Sequence, residues 1–180
     1  MLLLKEKLTL TSSFLQAAKN LYLTAFPENE RLPWWYLFLS SFRKGICFYA
    51  IHCESKFCGI LYTVSGSEAL LIVYVAVAPE LRSQGAGGKF IELIKQQYPD
   101  HAVYLLMESC DGINDPADMR IRRQRFYFRN GFSDTLWRYN SDGVRYDLLC
   151  NNEKFNIAEY KRLMNKLLIF YPKGEYFKID

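Results

Sequence analysis

The chain has 180 residues, half of them hydrophobic and 16% aromatic, with a formal net charge of +4. That length suits one compact domain, and the apolar content excludes a disordered or fibrous class. The charge is modest: it suits a polyanionic small ligand without requiring nucleic acid. No apolar run approaches the roughly 20 residues of a membrane span, and the Leu2 to Leu4 stretch is too short for a signal-peptide core, which points to a cytoplasmic protein. Five cysteines, Cys47, Cys53, Cys58, Cys110 and Cys150, are odd in number and form no CxxC pair, so reduced thiols are expected rather than disulfides or zinc. His52 beside Cys53 is a poor metal pair, because adjacent strand residues face opposite ways, and no metal is expected.

In chain order, Ser13-Phe14-Leu15-Gln16 has the form of a capping box, and Leu15, Ala18, Tyr22 and Ala25 recur at helical spacing up to about Phe26. Pro27 ends that helix. Pro33 opens a second one, with Trp34, Leu37, Phe38 and Ser41 on a shared face and Gly45 closing it. Three apolar, β-branched and aromatic runs follow, at Ile46 to His52, Phe57 to Val64 and Ala69 to Val77, and predict an antiparallel meander. Pro79 ends the third strand, Gly85 to Gly88 form a glycine-rich turn, and Phe90, Ile91, Leu93 and Ile94 mark a helix stopped by Pro99.

Val103 to Met107 reads as a buried strand, followed by the polar loop Asp111 to Asp118 and a basic helix ending at a left-handed cap, Asn130-Gly131. Two strands, Phe132 to Tyr139 and Val144 to Cys150, flank the hairpin signal Ser141-Asp142-Gly143. Ile157, Tyr160, Met164, Leu167 and Leu168 predict a closing amphipathic helix. No repeat or low-complexity linker separates these elements, so a single domain over residues 1–180 is expected, with its core at about 8–150 and a helical extension after it.

The segment Val75 to Gly88 places small residues where a strand hands over to a helix. Free amides at a helix start and the positive end of its dipole attract phosphate, and Arg82 and Lys89 add formal charge. The dinucleotide fingerprint would need glycine where Phe90 stands, and no P-loop is present. Arg82-Ser83-Gln84-Gly85-Ala86-Gly87 instead resembles motif A of the GNAT acetyltransferase superfamily: Arg or Gln, two residues, Gly, one residue, Gly or Ala. Further along, Arg125-Phe126-Tyr127-Phe128-Arg129-Asn130-Gly131-Phe132 resembles the phrase ending in Gly-Phe that closes the GNAT core, in the same order and at matching spacing. Phe26 to Pro33 looks like the opening of a bacterial GNAT subgroup.

The resemblance covers about residues 8–150 and implies a mixed α/β, GNAT-like fold: a central mixed, largely antiparallel twisted sheet flanked by helices, here with a C-terminal helix added. It implies an acetyl-CoA-dependent N-acetyltransferase that moves an acetyl group to a primary amine by direct attack. The alternative is an inactive acyl-CoA sensor or interaction module of the same fold. Val75 and Val77 are assigned by the resemblance to the pantetheine arm, and Arg82, Ser83, Gln84, Gly85, Ala86, Gly87 and Gly88 to the pyrophosphate. Among partners it allows a homodimer, and neither nucleic acid nor a membrane is expected.

Acyl transfer needs a neutral amine, a polarised carbonyl and a proton for the departing thiolate. By resemblance Tyr127 lies near the CoA sulfur and supplies that proton; its alternative is a core aromatic. The Val75 amide would polarise the carbonyl. Glu108, at the end of a buried strand, is the candidate base, and equally a partner for a nearby arginine. GNAT enzymes often carry a base on the strand before motif A, but Tyr74 stands there and no carboxylate lies between Ala69 and Ala78, which leaves a water-mediated route open. Asp111, Asp115 and Asp118 could attract a cationic amine or serve as turn and helix caps, and Glu28 and Glu30 stand where substrates of the family often pass. Arg120, Arg122, Arg123, Arg125 and Arg129 scatter around their helix instead of forming a stripe, which argues against a nucleic-acid surface.

Overall fold

The computed structural model describes residues 3–141, 143–169 and 174–179; Leu2 and Asp142, named above, lie outside them. The chain divides into two compact units, one made of residues 1–65 and 72–99, the other of residues 66–71 and 100–180.

In the first unit, strand β1 (Leu4–Lys7) pairs antiparallel with β2 (Ile46–Cys53), and β2 with β3 (Lys56–Ser65). Strand β4 (Ala69–Val77) is the neighbour of β3 and enters this unit at Ile72. β1 escapes a sequence reading because Leu4-Lys5-Glu6-Lys7 has no apolar alternation; pairing with β2 alone makes it a strand.

Helix α1 (Leu15–Ala25) buries Ala18, Leu21 and Tyr22. Its start differs from the expected capping box: Phe14 is the cap, and no side chain bonds the first turn. A tight turn, in which the Thr9 N–H donates to Ser12 Oγ at 3.0 Å and the Leu15 N–H to the Ser12 carbonyl at 3.1 Å, delivers the chain to the helix past Ser13. Helix α2 (Trp34–Ser40) follows Pro33 as expected but stops well before Gly45. The Ser41 to Lys44 stretch turns instead, and Gly45, at φ +77°, swings the chain into β2. Helix α3 (Ala86–Gln97) buries Ala86, Phe90, Ile91 and Ile94, and is seated by Gly59. A Cβ at Gly59 would meet the Ala76 carbonyl oxygen and, at 2.6 Å, the Phe90 ring.

In the second unit the strands follow the order β5 (Ala102–Glu108), β7 (Val144–Cys150), β6 (Ser133–Ser141), β8 (Glu175–Lys178), each pair antiparallel. β8 is the second strand that the sequence does not announce; it exists by pairing with β6 and by the Tyr176 ring 4.7 Å from Tyr139. β6 carries a bulge, with Leu136 at φ +62° and the register slipping between Asp134 and Arg138. The bulge brings Asp134 onto Arg138, whose Nη1 and Nη2 donate to its two oxygens at 2.8 and 2.9 Å. Helix α4 (Met119–Arg129) ends at Gly131, φ +78°, the expected left-handed cap, and helix α5 (Ile157–Leu167) buries Tyr160, Leu163, Met164 and Leu167.

Among the described residues, eight strands, mostly antiparallel, and five α-helices make a mixed α/β architecture. No helix among the described residues is long and apolar enough to cross a membrane, and all five cysteines are free thiols. His52 is occupied: its Nδ1–H donates to the Glu54 carbonyl at 2.6 Å and its ring stacks on Phe14.

Candidate functional site

In the first unit, β4 changes character along its length. Ile72 and Tyr74 are buried, whereas Val75, Ala76 and Val77 are half-exposed. Pro79–Leu81 then form one 3-10 turn, pinned by the buried Leu81. Arg82 is extended and its Nε–H donates back to the Val77 carbonyl at 3.2 Å; the Gln84 amide donates to the Glu80 carbonyl at 2.7 Å. Ser83 and Gly85 both take left-handed backbone, at φ +61° and +77°. For glycine that is free of strain, and for serine it is a cost that marks a loop held in a special shape.

The glycine-rich turn is shorter than the sequence implies. Only Gly85 belongs to it, while Ala86, Gly87 and Gly88 already form the first turn of α3. No side chain caps that turn, so its leading amides are left to solvent or to a ligand, at the positive end of the helix dipole. Space is open there: a Cβ on Gly85 would meet nothing within 4 Å. Arg82, Ser83, Gln84, Gly85 and Lys89 are exposed, Gly87 and Gly88 half-exposed, and Ala86 buried.

Tyr74, where the family often carries a base, is a structural tie. Its hydroxyl donates to the Glu30 carbonyl at 3.0 Å and accepts from the Leu32 N–H at 3.1 Å, while the Tyr22 hydroxyl donates to the Leu32 carbonyl at 2.8 Å. Burial pushes both phenols up, which keeps them neutral donors. Between them they hold the Glu28–Glu30 3-10 turn, so the two glutamates keep fixed backbone positions between α1 and α2. Nothing in the sequence pattern distinguishes these tyrosines from core aromatics.

In the second unit, Tyr127 sits on the last turn of α4 and is half-buried, edge-on to Phe126 and Phe132 at 5.2 and 5.9 Å between ring centroids. Burial pushes its phenol up against a weaker opposing pull from Arg123. Among the described residues none hydrogen-bonds its hydroxyl. Glu108 closes β5 opposite Tyr146 and accepts from Arg120 Nη1 at 3.0 Å, so the alternative of an arginine partner is realised in the fold. Arg120 is itself held by Asp118, whose Oδ1 caps α4 by accepting from the Arg120 N–H at 2.8 Å.

The other loop aspartates are engaged too: Asp115 accepts from the Ala117 N–H at 2.8 Å, and Asp111 from Arg145 at 3.0 Å. The loop carboxylates thus shape the chain, as caps and ion pairs. Arg122, Arg125 and Arg129 are exposed around α4. A feature unmarked in the sequence is the buried pair Arg138 Nε to Asp147 Oδ1 at 3.0 Å, directly opposed in the β6 and β7 register. Opposite charges across the hairpin were the available signal, since the register runs unbroken from the Ser141–Val144 turn to Arg138 and Asp147.

No protein-family model matches the sequence, and no curated protein matches it either. Solved structures do. The chain superposes with a TM-score of 0.72 on a Bacteroides thetaiotaomicron protein assigned to the GNAT acetyltransferases, at 20% identity, covering 92% of this chain and 96% of that one. With the ribosomal-protein-S18-alanine N-acetyltransferase of Escherichia coli the TM-score is 0.61 at 15% identity, covering 86% and 99%. An aminoglycoside 6'-N-acetyltransferase complexed with coenzyme A gives 0.62 at 11% identity, covering 82% and 95%. These likenesses show a mixed α/β fold shared over most of the chain. The fold is that of the GNAT acetyltransferases, as the two sequence motifs imply.

Proposed function

We propose that this chain is an acetyl-CoA-dependent N-acetyltransferase, acting as one domain, that transfers acetyl to a primary amine of a small molecule or peptide. The carrying observation is the junction of β4 and α3: half-exposed strand residues, two left-handed residues and an uncapped helix start, set in a fold shared with an acetyltransferase that was solved with coenzyme A. In this reading Val75 and Val77 pair through their backbone with the pantetheine arm, and the Val75 amide polarises the thioester carbonyl. The amides and side chains from Arg82 to Gly88 hold the pyrophosphate.

Tyr127 donates the proton that the departing thiolate takes up, a role that a neutral, unengaged phenol suits. Glu108, or water held by it, removes the proton of the incoming amine. Its bond to Arg120 leaves its second oxygen to accept that proton or to orient the water. The acceptor approaches past the Glu28–Glu30 turn. A cytoplasmic enzyme that needs no metal, and a homodimer, fit this reading.

The rival is an acyl-CoA sensor of the same fold, favoured by two observations: Glu108 is tied to Arg120, and Tyr74 offers no replacement base. Calorimetric titration with CoA, followed by thiol release from acetyl-CoA over a panel of amines, separates the two. The enzyme requires both binding and amine-dependent release. CoA binding without release to any amine favours the sensor, and an absence of binding sinks both.

A further inference from the structure

Helix α2 has a face that none of the chemistry above uses. One side of the helix is held to the first unit: Tyr36, Leu37, Phe38 and Ser40 are buried, and the Tyr62 hydroxyl donates to the Leu37 carbonyl at 3.0 Å. The other side carries Trp35, Leu39 and Phe42, which are 61%, 62% and 54% exposed. The Ser41 and Phe42 N–H groups donate to the Leu37 and Leu39 carbonyls at 3.0 and 3.2 Å, so the coil continues to Phe42, and the spacing i, i+4, i+7 sets the three side chains in one row. Packing stiffens the row. Trp35 stands edge-on to the buried Tyr36 at 5.8 Å between ring centroids, and Phe42 edge-on to the buried Phe38 at 5.3 Å.

Three large apolar side chains open to water in one row make the kind of patch that marks an interface. The segments at its two ends carry opposite charge. Glu28 and Glu30 lie in the 3-10 turn before the helix, and Arg43 and Lys44 in the turn after it. An anionic membrane or an acidic partner would be attracted by the basic end and repelled by the acidic one. A copy of the same chain laid antiparallel suits both ends: it brings its basic turn towards the acidic one and opposes the two helix dipoles.

We propose that this face docks a second copy of the chain, α2 against α2, across a two-fold axis that passes near Leu39. Contacts across such an axis are reciprocal. Leu39 meets its own counterpart, Trp35 meets Phe42, and the turn with Lys44 lies towards the turn with Glu28. Trp35 and Phe42 supply the large, rigid anchors on which interfaces depend. One helix pair buries less than a permanent dimer does, so the association is weak and concentration-dependent. The homodimer that the proposed reading accommodates thereby gains a contact face. That face requires no acyl chemistry, and its failure would leave the acetyl-CoA reading as it was.

Sedimentation equilibrium of the full chain, up to about 100 µM, should show monomer and dimer in exchange. Leu39→Asp should weaken the dimer at least about tenfold while its thermal melt matches that of the unsubstituted chain, because the side chain it replaces is exposed. Glu28→Lys and Lys44→Glu should each weaken association about twofold or more, and the two together should restore it. Under mild oxidation a Leu39→Cys chain should form a disulfide between the two copies at position 39, which peptide mass spectrometry separates from links through the native thiols. A chain monomeric throughout, a dimer indifferent to Leu39→Asp, or a double charge reversal no better than either single one overturns the inference. So does a monomer that floats with phosphatidylserine vesicles unless Leu39 is replaced by Asp, which would give the face to a lipid surface.

Discussion

The Tyr74 hydroxyl donates to the Glu30 carbonyl at 3.0 Å and accepts from the Leu32 N–H at 3.1 Å, tying a β-strand to the turn between the first two helices. Tyr74→Phe keeps the ring contacts with Tyr22, Phe26 and Tyr62 but leaves both backbone groups without their partner. It should cost about 1–3 kcal/mol, read from urea denaturation. Hydrogen exchange should speed at Leu32 before it speeds in β2 or β3, and unchanged protection at Leu32 would contradict the tie.

Gly59→Ala should destabilise the first unit by about 1–3 kcal/mol, because the added methyl meets a backbone carbonyl, which cannot turn aside, as well as the Phe90 ring. Gly85→Ala is the control. It meets no neighbour, so any loss comes from left-handed backbone alone, about 1–2 kcal/mol. Thermal melts of the two variants, with and without CoA, separate packing from loop conformation. A Gly59→Ala melt equal to the unsubstituted chain would show that α3 is seated more loosely than described.

Asp118 carries a pH signature. Its carboxyl is held down at about 2 by the Arg120 side chain and N–H, against an ordinary 3.8. A depressed carboxyl stabilises the fold above its unfolded value, so the contribution is complete above about 4 and disappears as pH falls towards 2. Carboxyl NMR titration should find Asp118 protonating below the ordinary carboxylate range. Asp118→Asn keeps an oxygen to cap α4 but should remove that dependence, and a normal titration in the unsubstituted chain would dismiss the Arg120 contact.

Tyr127→Phe deletes only a hydroxyl without a partner among the described residues, so stability should hold within about 1 kcal/mol. If the hydroxyl serves the departing thiolate, kcat falls by about 10²-fold or more while KM for acetyl-CoA changes little. Retained turnover would make Tyr127 a packing residue.

The sequence by itself marked the run of elements from α1 to β7, the glycine at the start of α3, and the two motifs whose fold the solved structures share. These features are local: an apolar period, a proline or glycine stop, and a short phrase with its spacing all act within a turn or two of the backbone. β1 and β8 were not legible, because Leu4–Lys7 and Glu175–Lys178 are strands only through hydrogen bonds to partners far along the chain. The same holds for side-chain roles. Tyr74 reads as a core ring until the Glu28–Leu32 segment arrives over it, and only the fold shows that the loop returns Arg120 to Glu108. Val75 to Gly88 was the most informative stretch in the sequence. Tertiary structure decided what the letters could not: α3 begins at Ala86, Ser83 takes the left-handed turn beside Gly85, and no side chain caps the amides that follow, since each of these depends on how β4 and α3 are held by the rest of their unit.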